Sequence, residues 1–195
     1  MTRIKVREIT GREILAGKSD GLRDFPKFMT AVEEMSAGDT VILDWTGIEI
    51  ATASYFGATL ISLLRMAIAG DLDRYFVVAG LNSTCLDELK LVLDLQSLVT
   101  LAGEWRDGTL QGLTVLGKLD DAYSEALDAV QQVDAVSAAE LHKSHQRSSP
   151  IGKTGWINRL TNLHRLRLVR KQRIGREYVF QAVNKRRKHG SRLDT

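Results

Sequence analysis

The chain has 195 residues, of which 44% are hydrophobic and 26% charged, enough for one large or two small domains. Its single cysteine, Cys85, excludes an intramolecular disulfide and any multi-cysteine zinc site within one chain. A net charge of +3 hides a division: Met1–Glu140 holds 12 Lys and Arg against 22 Asp and Glu, whereas Leu141–Thr195 holds 15 against 2. Such a basic segment is the electrostatic footprint expected of nucleic-acid binding, because each phosphate neutralised releases condensed counterions. The N-terminus lacks the apolar run of a signal peptide, and no stretch approaches the ~18 apolar residues of a membrane span. A cytosolic protein without a membrane partner is expected.

In chain order, Ile4 to Ile9 alternates charged and apolar residues, as a strand with one wet face does. Leu22, Phe25, Phe28, Met29, Val32 and Met35 recur at helical spacing, and Ser36 to Asp39 ends that helix. Val41 to Trp45 predicts a buried strand. Thr52 to Ala69 predicts one helix, with Phe56, Leu60, Leu63, Leu64 and Ala67 on a common face. Tyr75 to Gly80 is a further buried strand, and Ser83 to Leu95 a helix capped by Ser83. Strands alternating with helices imply a sheet with crossover helices, an α/β layer fold.

The stretch from Val41 to Ile50, running on through Thr52-Ala53-Ser54-Tyr55-Phe56-Gly57-Ala58-Thr59-Leu60, resembles the core of a STAS-type domain, the family that includes anti-sigma-factor antagonists. The pattern there is a strand ending in Leu-Asp-aliphatic-Ser-Gly, then an Asp-Ser-Ser-Gly-Leu-Gly turn opening a helix. Ser54 falls on the serine that is phosphorylated in the family, and Gly57 on the last glycine. Thr52 replaces the aspartate, Ala53 the first serine and Tyr55 the first glycine, so the divergent STAS-like branch is the better match. The resemblance covers roughly Val41 to Leu95. It implies a domain that receives a signal or docks on a kinase- or ATPase-like protein. Read from chemistry alone, a hydroxyl at the start of a helix serves as an N-cap; a phosphate there would also meet the helix dipole and switch a docking surface.

Gly117 to Asp120 marks the domain boundary. Beyond it, Asp120 to Val133 predicts a helix. Ser137 with Glu140 three residues later is a capping box that opens a second, short helix ending near His145. Ile151 to Leu166 predicts a third helix, and Leu168 to Arg173 with Glu177 to Val183 two strands around Gly175. Helix, short helix, helix, hairpin is the order of a winged helix-turn-helix. At 100° per residue, Thr154, Asn158, Asn162 and Arg165 fall within about 80° of one another, opposite Trp156, Ile157, Leu160 and Leu163. Hydroxyl, amide and guanidinium groups on one face are what a major groove requires. Trp156 to Val169 also resembles the recognition helix and following strand of MarR-like regulators. The residues expected at DNA are Lys153, Thr154, Asn158, Arg159, Asn162 and Arg165 on the helix, and Lys171, Arg173 and Arg176 on the hairpin. The tail from Lys185 onward has almost nothing apolar to bury and adds sequence-independent phosphate attraction.

Other motifs fall away. Gly152-Lys153-Thr154 ends like a phosphate-binding loop, but Arg147 stands where that loop needs its first glycine. His142 and His145 are two ligands without a third. Cys85 lies in an apolar helical stretch as packing. Asp71, Asp73, Asp87, Glu88 and Asp94 form a solvated acidic surface. The expectation is therefore a regulator without catalytic activity, cofactor or metal: a STAS-like domain over 1–118, a winged helix over 119–184 that binds duplex DNA, and a basic disordered tail over 185–195. A homodimer is left open. The rival is a partner-switching interaction protein whose basic half is an assembly surface or holds nucleic acid within a larger complex.

Overall fold

Parallel strand pairing organises the first half of the chain in the computed structural model, which describes residues 1–146 and 151–185. The chain divides into two units, Met1–Leu119 and Asp120–Thr195. In the first the order is β1 (Thr2–Lys5), α1 (Val6–Thr10), β2 (Ile14–Leu15), α2 (Lys18–Glu33), β3 (Asp39–Asp44), β4 (Ile50–Ala51), α3 (Ala53–Ala58), α4 (Leu60–Ala69), β5 (Arg74–Ala79), α5 (Ser83–Gln96), β6 (Thr100–Arg106) and β7 (Thr109–Leu116). Five strands form one sheet in the order β1-β3-β5-β6-β7. The first four run parallel, and β7 returns antiparallel to β6. Parallel neighbours need crossover connections, which the helices supply, so the fold is α/β. The central strands are buried from Thr40 to Asp44 and along all of β5, which is why both read as continuous apolar runs. Trp45 anchors the core, its ring 6.5 Å from Phe28 and 4.7 Å from Phe56.

Three local expectations are corrected, and one element is added. The alternation over Ile4 to Ile9 is a strand only to Lys5. Val6 and Thr10, four apart, are both buried on one face of the short α1, and Gly11 closes it at φ 70°. The helix expected over Thr52 to Ala69 breaks at Thr59, whose hydroxyl donates to the Tyr55 carbonyl at 2.8 Å. That back-bond competes with the helical ladder. The cap of α5 is Asn82, not Ser83: its side chain accepts from Cys85 N–H at 2.8 Å and donates to Ile48 and Glu49 carbonyls. The β6–β7 hairpin was missed. Its signal is Asp107-Gly108, both at positive φ (50° and 74°), the pattern of a two-residue type I′ turn.

A buried carboxylate fixes α2 to α3. Asp24 accepts from the Tyr55 hydroxyl at 3.0 Å, from Lys27 at 3.1 Å and from Arg12. Burial alone would raise its pKa, but these donors outweigh it and hold Asp24 below the usual carboxylate range. Tyr55, at the position of the first glycine in the STAS pattern, is fully buried; burial and the Asp24 charge push its hydroxyl pKa up. Gly21 lets α2 approach, since a Cβ there would lie 2.7 Å from Ala58 Cβ.

The second unit contains α6 (Asp121–Gln131), β8 (Val136–Ser137), α7 (Ala138–Ser144), α8 (Lys153–Arg165), β9 (Val169–Ile174) and β10 (Glu177–Ala182). The three strands form an antiparallel sheet in the order β8-β10-β9. The capping box is present, with Ser137 N–H donating to Glu140 at 2.7 Å and Glu140 N–H to Ser137 Oγ at 3.3 Å. β8, only two residues long, carried no readable signal. Arg147–Pro150 and 186–195, hence nearly all of the expected basic tail, lie outside the described residues.

Candidate nucleic-acid interface

Helix α8 owes its orientation to three buried side chains, Trp156, Leu160 and Leu163, spaced at i, i+4 and i+7. The Trp156 ring lies 5.0 Å from that of His145. His142 Nδ1 meets the Ile151 carbonyl at 3.1 Å, ahead of the helix. Both histidines of the discarded metal motif are thus engaged in packing the helices. Among the described residues no group of three or more His, Cys, Asp or Glu is placed to hold a metal ion.

With that face buried, the solvent-facing strip of α8 consists of Lys153, Thr154, Ile157, Asn158, Thr161 and Arg165. Four of these are expected DNA residues. Ile157 departs from the sequence pattern: assigned to the apolar side, it is 42% exposed. Thr161 was not singled out, although a helical wheel places it between Ile157 and Arg165.

Two expected residues are otherwise occupied. Arg159 pairs with Glu125 of α6 at 2.6 Å and lies over the Trp156 ring, 5.5 Å from its centroid. Its guanidinium joins two helices, and Glu125 neutralises its charge. Asn162 is half-buried, and its Oδ1 accepts from Arg165 Nε at 3.1 Å and Nη2 at 2.8 Å. An amide so engaged has lost the acceptor half of a bidentate adenine contact. Asn158 is exposed and keeps both halves. The Arg165 charge stays available, because its partner is neutral.

The hairpin completes the surface. Ile174 pairs with Glu177 across a two-residue turn, Gly175-Arg176, with Gly175 at φ 61°. Arg173 and Arg176 are exposed at this tip, and Lys171 is half-buried on β9. Lys153, Lys171, Arg173 and Arg176 form no ion pair with the described residues.

In the first unit, Ser54 is exposed in the opening turn of α3, but it is not the cap. Thr52 is, accepting from Tyr55 N–H at 3.4 Å and from Gly17 N–H at 3.1 Å. Ser54 Oγ lies 3.1 Å from Thr52 Oγ1. The Ala53 N–H donates to Glu88 Oε2 at 2.6 Å, so a carboxylate already occupies the helix start where a phosphate would have gone.

No helix among the described residues is long and apolar enough to cross a membrane. No known protein family matches the chain, and no curated protein does. A solved structure concerned with the DNA recognition and protein interaction domains of HOP2 matches at 21% identity with a TM-score of 0.30. The match covers 31% of this chain and 97% of that one; a likeness at that score establishes neither fold nor function here.

Proposed function

We propose that the second unit is a winged helix that binds duplex DNA, with α8 in the major groove and the β9–β10 hairpin against the backbone. The observation that carries this is the solvent-facing strip of α8. It holds Lys153, Thr154, Asn158, Thr161 and Arg165 without a carboxylate, beside a hairpin carrying Lys171, Arg173 and Arg176. Helical donors that reach base edges, next to cations that reach phosphates, divide reading from positioning as duplex recognition requires. Asn158 is the reading amide. For the acidic half we propose the role of a STAS-like domain that receives a signal or a protein partner, with DNA binding as the output; the support is the α/β sheet and the exposed Ser54 turn.

The test is selection of duplexes from a random pool by the full chain at low salt, followed by binding to the enriched site and to a scrambled duplex. Asn158→Ala should cost about 1–3 kcal/mol on the enriched site and little on the scrambled one. Absence of any duplex binding at low salt refutes the proposal. An equal loss on both duplexes removes α8 as the reading element.

A further inference from the structure

Helix α8, the hairpin and the first turn of α7 enclose a cleft of about 380 Å³. Phe180 and Ala138 are buried in its wall, while Ile157 and Tyr178 line it with 42% and 52% of their surface exposed. Three cations line it too: Lys153 on the first turn of α8, Lys171 on β9 and Arg176 in the hairpin turn. The Lys171 ammonium sits 4.1 Å from the centroid of the Tyr178 ring. Glu177 is the one carboxylate in the lining, and none of the three cations forms an ion pair with it or with any other described residue.

An exposed aliphatic side chain and an exposed aromatic ring, next to three positive charges that no described carboxylate neutralises, select a flat apolar body that carries an anion. A nucleotide is such a body, and the space holds one. A base inside a duplex has both faces stacked on its neighbours and cannot use these side chains; an unpaired base can, through the stacking by which aromatic residues hold single strands. We infer that this cleft takes one unpaired nucleotide of a bound strand, its base against Ile157 and Tyr178 and its phosphate between Lys153 and Arg176. The inference rests on the nucleic-acid reading above and deepens it: the protein binds preferentially where a duplex is interrupted. A free nucleotide shares the chemistry but lacks the flanking phosphates that the rest of α8 and the hairpin would engage.

The experiment uses the full chain and three probes: a blunt duplex, the same duplex with one bulged 2-aminopurine, and the free 2-aminopurine nucleotide. The bulged duplex should bind about tenfold more tightly than the blunt one, the scale of one base stacked on an aromatic side chain, and its fluorescence should be quenched. Tyr178→Ala should abolish both effects and leave blunt-duplex affinity unchanged, whereas Tyr178→Phe should retain them. Equal affinity for bulged and blunt duplexes overturns the cleft assignment while the duplex reading stands. Loss of preference in Tyr178→Phe overturns stacking as its cause. A free nucleotide binding as tightly as the bulged duplex overturns the strand as the source. Failure of every probe to bind at low salt overturns both readings.

Discussion

The salt dependence of DNA binding separates cations that face solvent from one that the fold has consumed. Lys153, Arg165, Lys171, Arg173 and Arg176 have no carboxylate partner among the described residues, whereas Arg159 is paired with Glu125 and only 18% exposed. If those five each neutralise one phosphate, they contribute a slope of about −4.5 to log K against log salt, at about −0.9 per contact. That corresponds to a loss of about 500-fold in affinity between 50 and 200 mM salt. Arg176→Gln should flatten the slope by about one unit. Arg159→Gln should leave it unchanged and cost at most about 1 kcal/mol of stability, because Glu125 is 44% exposed and the pair is screened by solvent. The assay is fluorescence anisotropy of the full chain on one duplex over a salt series. All variants share the tail after Lys185, so its contribution cancels in the differences. A slope that moves equally in the two variants, or in neither, refutes the division of charge proposed for this surface.

Three further outcomes test the first unit. Gly21→Ala should destabilise it by about 1–3 kcal/mol in thermal unfolding, the cost of overpacking, because the new Cβ would lie 2.7 Å from Ala58 Cβ and 3.1 Å from the Tyr55 carbonyl oxygen. Burial raises the pKa of Asp44, but the Thr46 hydroxyl and amide and the Arg3 guanidinium more than offset it, and the net shift is downward. A carboxylate depressed in the folded state gives stability that is fully present above its unfolded pKa of about 4 and lost as pH falls through the folded value. Acid unfolding should therefore be less steep in Asp44→Asn, and an unchanged pH profile would show the Arg3–Asp44 pair to be inert. Ser54→Asp adds a charge beside Glu88 at the start of α3, so it should be better tolerated in the Glu88→Gln background, by about 0.5–1 kcal/mol in a double-mutant cycle; simple additivity would place Glu88 out of range.

What the sequence determines by itself is whatever is local or summed along the chain. The charge division needs only a count. The capping box at Ser137 and Glu140 formed because both of its hydrogen bonds close within four residues. Asp107-Gly108 carried the β6–β7 hairpin in two letters, legible though unread. Periodicity located α8 and its three buried residues, because a helix repeats every 3.6 residues whatever surrounds it. Which side chains remain free was decided only by tertiary structure. The wheel places Ile157 40° from Lys153 and 60° from Leu160, at the edge of the buried arc; the positions of α7 and the hairpin leave it lining a cleft. Arg159 reads as one more cation until α6, 34 residues earlier in the chain, brings Glu125 to it. Ser54 has the sequence position of a cap, yet the backbone turns two residues sooner, at Thr52, and Glu88 arrives from a different helix. Pairings between distant segments depend on how elements pack, and packing has no period along the chain to reveal it.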